Sequence, residues 1–167
     1  WARAAKGHDV DPHSLSYKSG DEYLCSAKGR SNEQVVIVDS NGRAYTLQAH
    51  TLPSARGQGE PLTGRFNPAD GASFSGVMTG DPERWWLVAS DAGYGFFVQA
   101  AELFSRAKAG KAMLRVPEGG KALKPTCLDA DEFGDDTLVA AVGSAGHLLI
   151  FAAEELPEMA RGKGIKV

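Results

Sequence analysis

Three stretches of the chain carry the same order of apolar and polar positions. Each has an apolar run, a polar tetrad closed by glycine, a second apolar run, and then a loop anchored by leucine. The stretches begin at Val35, Trp86 and Leu138, and their turn glycines, Gly42, Gly93 and Gly146, are separated by 51 and 53 residues. Five residues after each glycine stands an apolar strand position (Leu47, Val98, Phe151), and ten residues after it a leucine (Leu52, Leu103, Leu156). Self-similarity at a constant period of this size marks a repeat architecture.

The tetrads Asp39 to Gly42, Ser90 to Gly93 and Gly143 to Gly146 supply the polar residues and the positive-φ glycine that short hairpin connections need. A further apolar stretch precedes each hairpin, at Tyr23 to Ala27, Phe74 to Met78 and Thr126 to Leu128, which predicts at least three strands per unit. No segment keeps a 3.6-residue period with caps. Ala100 to Arg106 and Ala152 to Met159 come nearest, so the pattern allows one short helical turn per loop. The expected fold is all-β, a fragment of a larger array of propeller-like blades, because one small sheet cannot bury both faces and must stack on a neighbour. The approximate sequence units are 8–62, 63–116 and 117–167, with 1–7 as the end of a preceding blade. Three blades do not close a ring comfortably, so the chain, which runs from Trp1 to Gly164-Ile-Lys-Val167, reads as a piece of a longer domain.

Composition changes this picture little. The 20 glycines among 167 residues punctuate strands and do not collect in a linker. No apolar run approaches the roughly 18 residues that span a bilayer, and no secretory leader is visible. Cys25 and Cys127 are too far apart for a disulfide framework or a zinc site and occupy comparable positions before the first and third hairpins, as core residues would. A reducing cytoplasm fits best.

Chemistry is sparse outside the loops. Asp129, Asp131, Glu132, Asp135 and Asp136 lack the register of a calcium loop. His8, His13, His50 and His147 are scattered, and no strained nucleophile elbow is present. The expectation is therefore no catalytic residue, no metal and no cofactor within the chain. Trp85, Trp86, Tyr94, Phe96 and Phe97 could stack on bases, but their strand positions favour packing. Tyr45 and Tyr94 lie inside hairpins and are rejected as cleavage nucleophiles.

The loops themselves pair glycine with a base: Ser54 to Gly59, Arg106 to Lys111 and Met159 to Gly164, with Arg3 to Gly7 of the same kind. Glycine lets backbone amides approach a phosphate, and the base supplies charge, so a repeated loop of this type suits a polyanion backbone. The candidate contacts are Arg3, Lys6, Arg56, Arg106, Lys108, Lys111, Arg115, Arg161, Lys163 and Lys166.

The stretches Leu52 to Leu62, Ala89 to Phe96 and Arg161 to Gly164 resemble the C-terminal domain of the A subunit of bacterial DNA topoisomerase IV, a relative of the gyrase A subunit. The likeness runs through essentially the whole chain. It implies a β-pinwheel, whose blades exchange strands and bind a bent duplex DNA around a basic rim. It also implies partners, namely the rest of a homodimeric A subunit together with an ATPase subunit, with ATP and Mg2+ held by other domains and the cleavage tyrosine elsewhere. The gyrase-type box Q-R-R-G-G-K/R-G does not occur here. Ala55 to Gly59 and Ala160 to Gly164 are shorter and less charged, as expected of a domain that orients DNA without strong wrapping. A protein-interaction propeller and a gyrase-like wrapping domain are the alternatives.

The net charge of −3 has to be set against this. DNA responds to the local field. Leu103 to Val116 holds four bases and no acid, whereas residues 120–160 sum to −6. A bipolar rim with weak, salt-sensitive, sequence-independent binding is the expectation.

Overall fold

The computed structural model describes residues 1–128, 134 and 136–167. Its strands are β1 (Gln34–Asp39), β2 (Arg43–Gln48), β3 (Phe74–Thr79), β4 (Trp85–Ala89), β5 (Tyr94–Gln99), β6 (Lys111–Ala112), β7 (Thr126–Cys127), β8 (Leu138–Val142), β9 (Leu148–Ala152) and β10 (Ile165–Lys166). The three hairpins are β1–β2, β4–β5 and β8–β9, all antiparallel. Their turns close identically: the N–H groups of Gly42, Gly93 and Gly146 donate to the carbonyls of Asp39, Ser90 and Gly143 at 3.0, 3.0 and 2.9 Å. All three glycines have φ near +80° (79°, 79° and 81°), where a side chain is disfavoured. The expected helical turn appears once per loop as a short 3-10 turn, at Ala49–Thr51, Ala100–Leu103 and Ala153–Glu155.

Each complete sheet borrows two strands. The orders are β3-β1-β2-β6 and β10-β5-β4-β7, so the first hairpin is flanked by the strands that precede and follow the second, and the second by those around the third. The sheets cut across the units expected at 8–62, 63–116 and 117–167. This exchange has a direct consequence for Tyr23 to Ala27, which was expected to be a strand and is not one. Its equivalents β3 and β7 add to the first strand of the hairpin before them. Residues 1–4 correspond only to a second hairpin strand, with Ala2 bridging Glu60 and Ala4 bridging Ser54, so among the described residues no edge stands ready for Tyr23 to Ala27.

Alternation along the strands builds the core. Val35, Ile37, Tyr45 and Leu47 point one way, onto Leu62 and Phe66, and Val36, Val38 and Ala44, with Met78 of β3, point the other, onto Trp86, Val88, Phe96 and Val98 of the second sheet. From the far face of that sheet Phe97, with Trp85 and Leu87, packs on Ala153, Leu156, Val139 and Phe151 of the third unit. The units therefore stack in series, and the second sheet is buried on both faces by its neighbours. Of the five aromatics considered for base stacking, Trp86, Phe96 and Phe97 are buried and Trp85 and Tyr94 half-buried. Among the described residues the third hairpin has no borrowed strands. Its outer face, with Leu138, Val142, Leu148 and Ile150, is exposed, although Val142 and Leu148 hold the turn positions of Val38 and Ala44.

Candidate nucleic-acid interface

The glycine and base loops all leave the second hairpin strand, pass the 3-10 turn, and return toward the preceding sheet. One carbonyl, at the same place in each loop, is held from outside the loop. Arg3 Nη1 donates to Gly57 O at 2.8 Å, Arg43 Nε to Ala109 O at 2.8 Å, and the Arg115 backbone N–H to Gly162 O at 2.7 Å. The residue immediately before that carbonyl is Arg56, Lys108 and Arg161 respectively, and each is exposed. Pinning the following peptide limits the loop entropy that a ligand would otherwise have to remove, so the three bases are presented on a fixed frame.

The second loop is the most firmly held. Arg43 Nη2 adds a bond to Gly110 O at 2.7 Å, Asn67 N–H donates to Lys108 O at 2.8 Å, and Gly110 N–H donates to Ala107 O at 3.0 Å. Gly110 sits against Tyr45, where a Cβ would lie 2.8 Å from the ring. Arg106 is exposed beside Lys108, whereas Lys111 is half-buried and its ammonium donates to Glu102 O at 2.5 Å.

The third loop meets the end of the second. Gly162 N–H donates to Met113 O at 2.9 Å and Leu114 bridges Gly162 in parallel, which sets exposed Arg115 beside Arg161 and Lys163. Lys163 rests its ammonium 3.8 Å from the Tyr94 ring centroid, a cation–π contact that orients it without neutralising it. Lys166, exposed, ends this edge in β10. The closure depends on Gly164, whose φ is +76° and whose Cβ would fall 2.0 Å from Gly95 O. Gly164→Ala is therefore expected to cost about 3 kcal/mol and lower Tm by roughly 6 to 12 °C. Gly64→Ala, with nothing within 4 Å of its Cβ position, serves as the matched control and should melt like the parent in a thermal scan.

The first loop differs. Arg3 is half-buried, donates to Ser16 O as well as Gly57 O, and lies 4.7 Å from the Tyr17 ring centroid, while its Nη2 is buried without a partner. It acts as the clamp of the loop, a role its place in a Gly/Lys-rich stretch did not disclose. Lys6 is exposed nearby. Arg43 is the clamp that the sequence pattern missed; a basic residue directly after each turn glycine would have been the signal, but only the first repeat has one.

Among the described residues no cluster of His, Cys, Asp and Glu could hold a metal ion, and Asp129, Asp131, Glu132 and Asp135 lie outside those residues. Cys25 and Cys127 are both half-buried, and burial pushes the Cys25 thiol up from its ordinary value. Among the described residues no helix is long and apolar enough to cross a membrane.

No protein-family model matches the chain. Curated relatives do: it is 51% identical over 167 residues to the DNA topoisomerase 4 A subunit of Haemophilus influenzae, 48% to that of Pseudomonas aeruginosa and 44% to that of Escherichia coli K12. In each case all of this chain is aligned but only 22% of the relative, so the chain spans about a fifth of their length. Among solved structures, that of the E. coli ParC C-terminal domain superposes with a TM-score of 0.86 at 42% identity, covering 99% of this chain and 66% of the other. The DNA gyrase A C-terminal domain gives a TM-score of 0.64 at 15% identity, covering 99% of this chain and 52% of that one, which is a likeness of fold. Exchanged strands, serial sheets and sequence identity along the whole of this chain agree: this chain belongs to the family of C-terminal β-pinwheel domains of the DNA topoisomerase IV A subunit.

Proposed function

We propose that the chain is a non-catalytic duplex-DNA-binding domain of a type IIA topoisomerase, whose parent A subunit, as a homodimer with an ATPase subunit, carries out strand passage in the cytoplasm. The observation that carries this is the threefold recurrence of an exposed base immediately before a clamped carbonyl, at Arg56, Lys108 and Arg161, along one edge of serial sheets. Such an edge offers point charges at repeat intervals to a phosphate backbone and few groups that could read base edges. Arg106, Arg115, Lys163, Lys166 and Lys6 extend it. Lys111, tied to Glu102, and Arg3, tied to its loop, would act on DNA only through the loops they shape. Bending or orienting the duplex, without strong wrapping, accords with loops that carry one or two free charges each.

Titration of this chain with a labelled duplex tests the reading. Binding should be measurable at about 50 mM salt and lost steeply by about 200 mM, with a log–log slope between roughly −3 and −6 for three to seven phosphate contacts. Scrambling the duplex sequence should change little. Failure to bind at low ionic strength, or a slope near zero, would leave the protein-interaction alternative in its place.

A further inference from the structure

At the opposite edge of the sheets from the basic loops lies a groove of about 510 Å³ that the DNA-binding reading does not use. It forms where three equivalent segments converge: Ser26 to Lys28, β3 and the approach to β7. Lys28, Arg84 and Lys124 line it, with hydroxyls from Ser26, Thr79 and Thr126, and among the described residues no Asp or Glu contributes to its lining. That is unusual in a chain of net charge −3. Lys28 makes an exposed pair with Asp9 at 3.2 Å, outside the groove.

Two donors on its lining residues lack acceptors among the described residues. Trp86 is only 4% exposed, and its indole Nε1 is buried with no hydrogen-bond partner. Arg84 Nε is also buried without one. An unsatisfied buried donor costs about 1–3 kcal/mol, more when charged, and native proteins tolerate few of them. The Trp86 indole N–H and the Arg84 guanidinium, beside Lys28 and Lys124 and with no acid among the described lining residues, define a site complementary to a group that is anionic and only accepts hydrogen bonds.

We infer that this groove binds a phosphate-type oxyanion, held by Arg84 and Lys124 with the Trp86 indole N–H as a neutral donor. The site is separate from the basic loops, because those lead into β6 and β10 and the groove lies along β3 and β7, the other edge of each sheet. The oxyanion could come from free phosphate or from a DNA backbone, and the two sources are distinguishable.

The test follows the Trp86 indole N–H signal of this chain by NMR, assigned with Trp86→Phe. Sodium phosphate, titrated against sodium chloride at matched ionic strength, should move that signal saturably and chloride should not. Lys124→Gln, at an exposed position, should raise the midpoint about tenfold, the value of one charge-assisted hydrogen bond. Arg84→Gln should do at least as much, and the spectrum's dispersion reports whether either variant is folded. A duplex titration then separates the sources. If DNA leaves the Trp86 signal in place while phosphate moves it, the ligand is a free anion. If DNA moves it and competes with phosphate, the ligand is a backbone phosphate reaching a second edge. A signal that neither probe moves, or one that drifts linearly and equally in phosphate and chloride, overturns the site. The readout is independent of the basic loops, so loss of duplex binding there would not count against it.

Discussion

Replacing Arg56, Lys108 and Arg161 together by glutamine is expected to lower duplex affinity by roughly 100-fold at low salt and to flatten the log–log salt dependence by about 3 units. The slope follows from counterion release, near 0.9 per neutralised phosphate on B-DNA, and three contacts are removed. All three side chains are exposed, and the carbonyls that fix their loops are held by Arg3, Arg43 and the Arg115 backbone, so the substitutions leave the clamps intact. Thermal stability should stay within about 0.5 kcal/mol of the parent. Fluorescence anisotropy across a salt series checks both quantities. An affinity loss without a change of slope would mean that the three bases shape the loops and do not meet phosphate; no loss at all would move the interface off this edge.

Asp39→Ala is expected to be the most damaging single change in the first sheet, by about 3 to 5 kcal/mol, or a Tm lower by roughly 10 °C. The Asp39 carboxylate is fully buried at the end of β1. Its Oδ1 accepts from the Asn41 and Arg43 backbone N–H groups at 3.0 and 2.9 Å, which shapes the turn, and its Oδ2 accepts from the Tyr45 hydroxyl at 2.7 Å. Alanine leaves three buried or half-buried donors without an acceptor, each at the cost of desolvation. Asp39→Asn keeps the shape and the turn acceptor and should cost distinctly less; equal losses for the two variants in thermal or urea unfolding would show that volume, and not hydrogen bonding, is what matters there.

The same pair sets an alkaline signature. Burial pushes the Tyr45 phenol far up, and the hydrogen bond to Asp39 adds to the shift. In the unfolded chain it titrates near its ordinary value of about 10. A folded value above the unfolded one means that its contribution is complete below pH ~10 and declines as the pH rises through the window above it, because only the unfolded state then releases the proton. Tyr45→Phe should therefore show a shallower loss of stability above pH ~10 than the parent.

Much of this was legible before any coordinates. The positive-φ glycines at a fixed period, the alternation in Val35 to Val38, and Leu103 and Leu156 at equal distance from their turns are local patterns, and each falls where local geometry acts. The 3-10 turns are local in the same sense. The misread parts are long-range. Tyr23 to Ala27 has the composition of β3 and β7 but pairs with no strand among the described residues, and composition does not report which edge a segment meets. Arg3 and Arg43 look like surface bases; that their guanidinium groups fasten loops 54 and 66 residues away depends on how the chain returns.

What the sequence determined by itself was the unit: a glycine-closed hairpin, its two apolar faces, and a loop ending in a base, repeated three times. These follow from φ limits, side-chain alternation and solvent preference, which act within a few residues. The tertiary structure alone decided how units combine. It gave each hairpin the strands flanking the next, turned two arginines into clamps, set Arg115 beside Arg161 and Lys163, and gathered Lys28, Arg84 and Lys124 around one groove. The physical reason is that backbone edges and buried donors must be satisfied by whichever segment the stacked sheets bring near, and that choice is made by the whole chain at once.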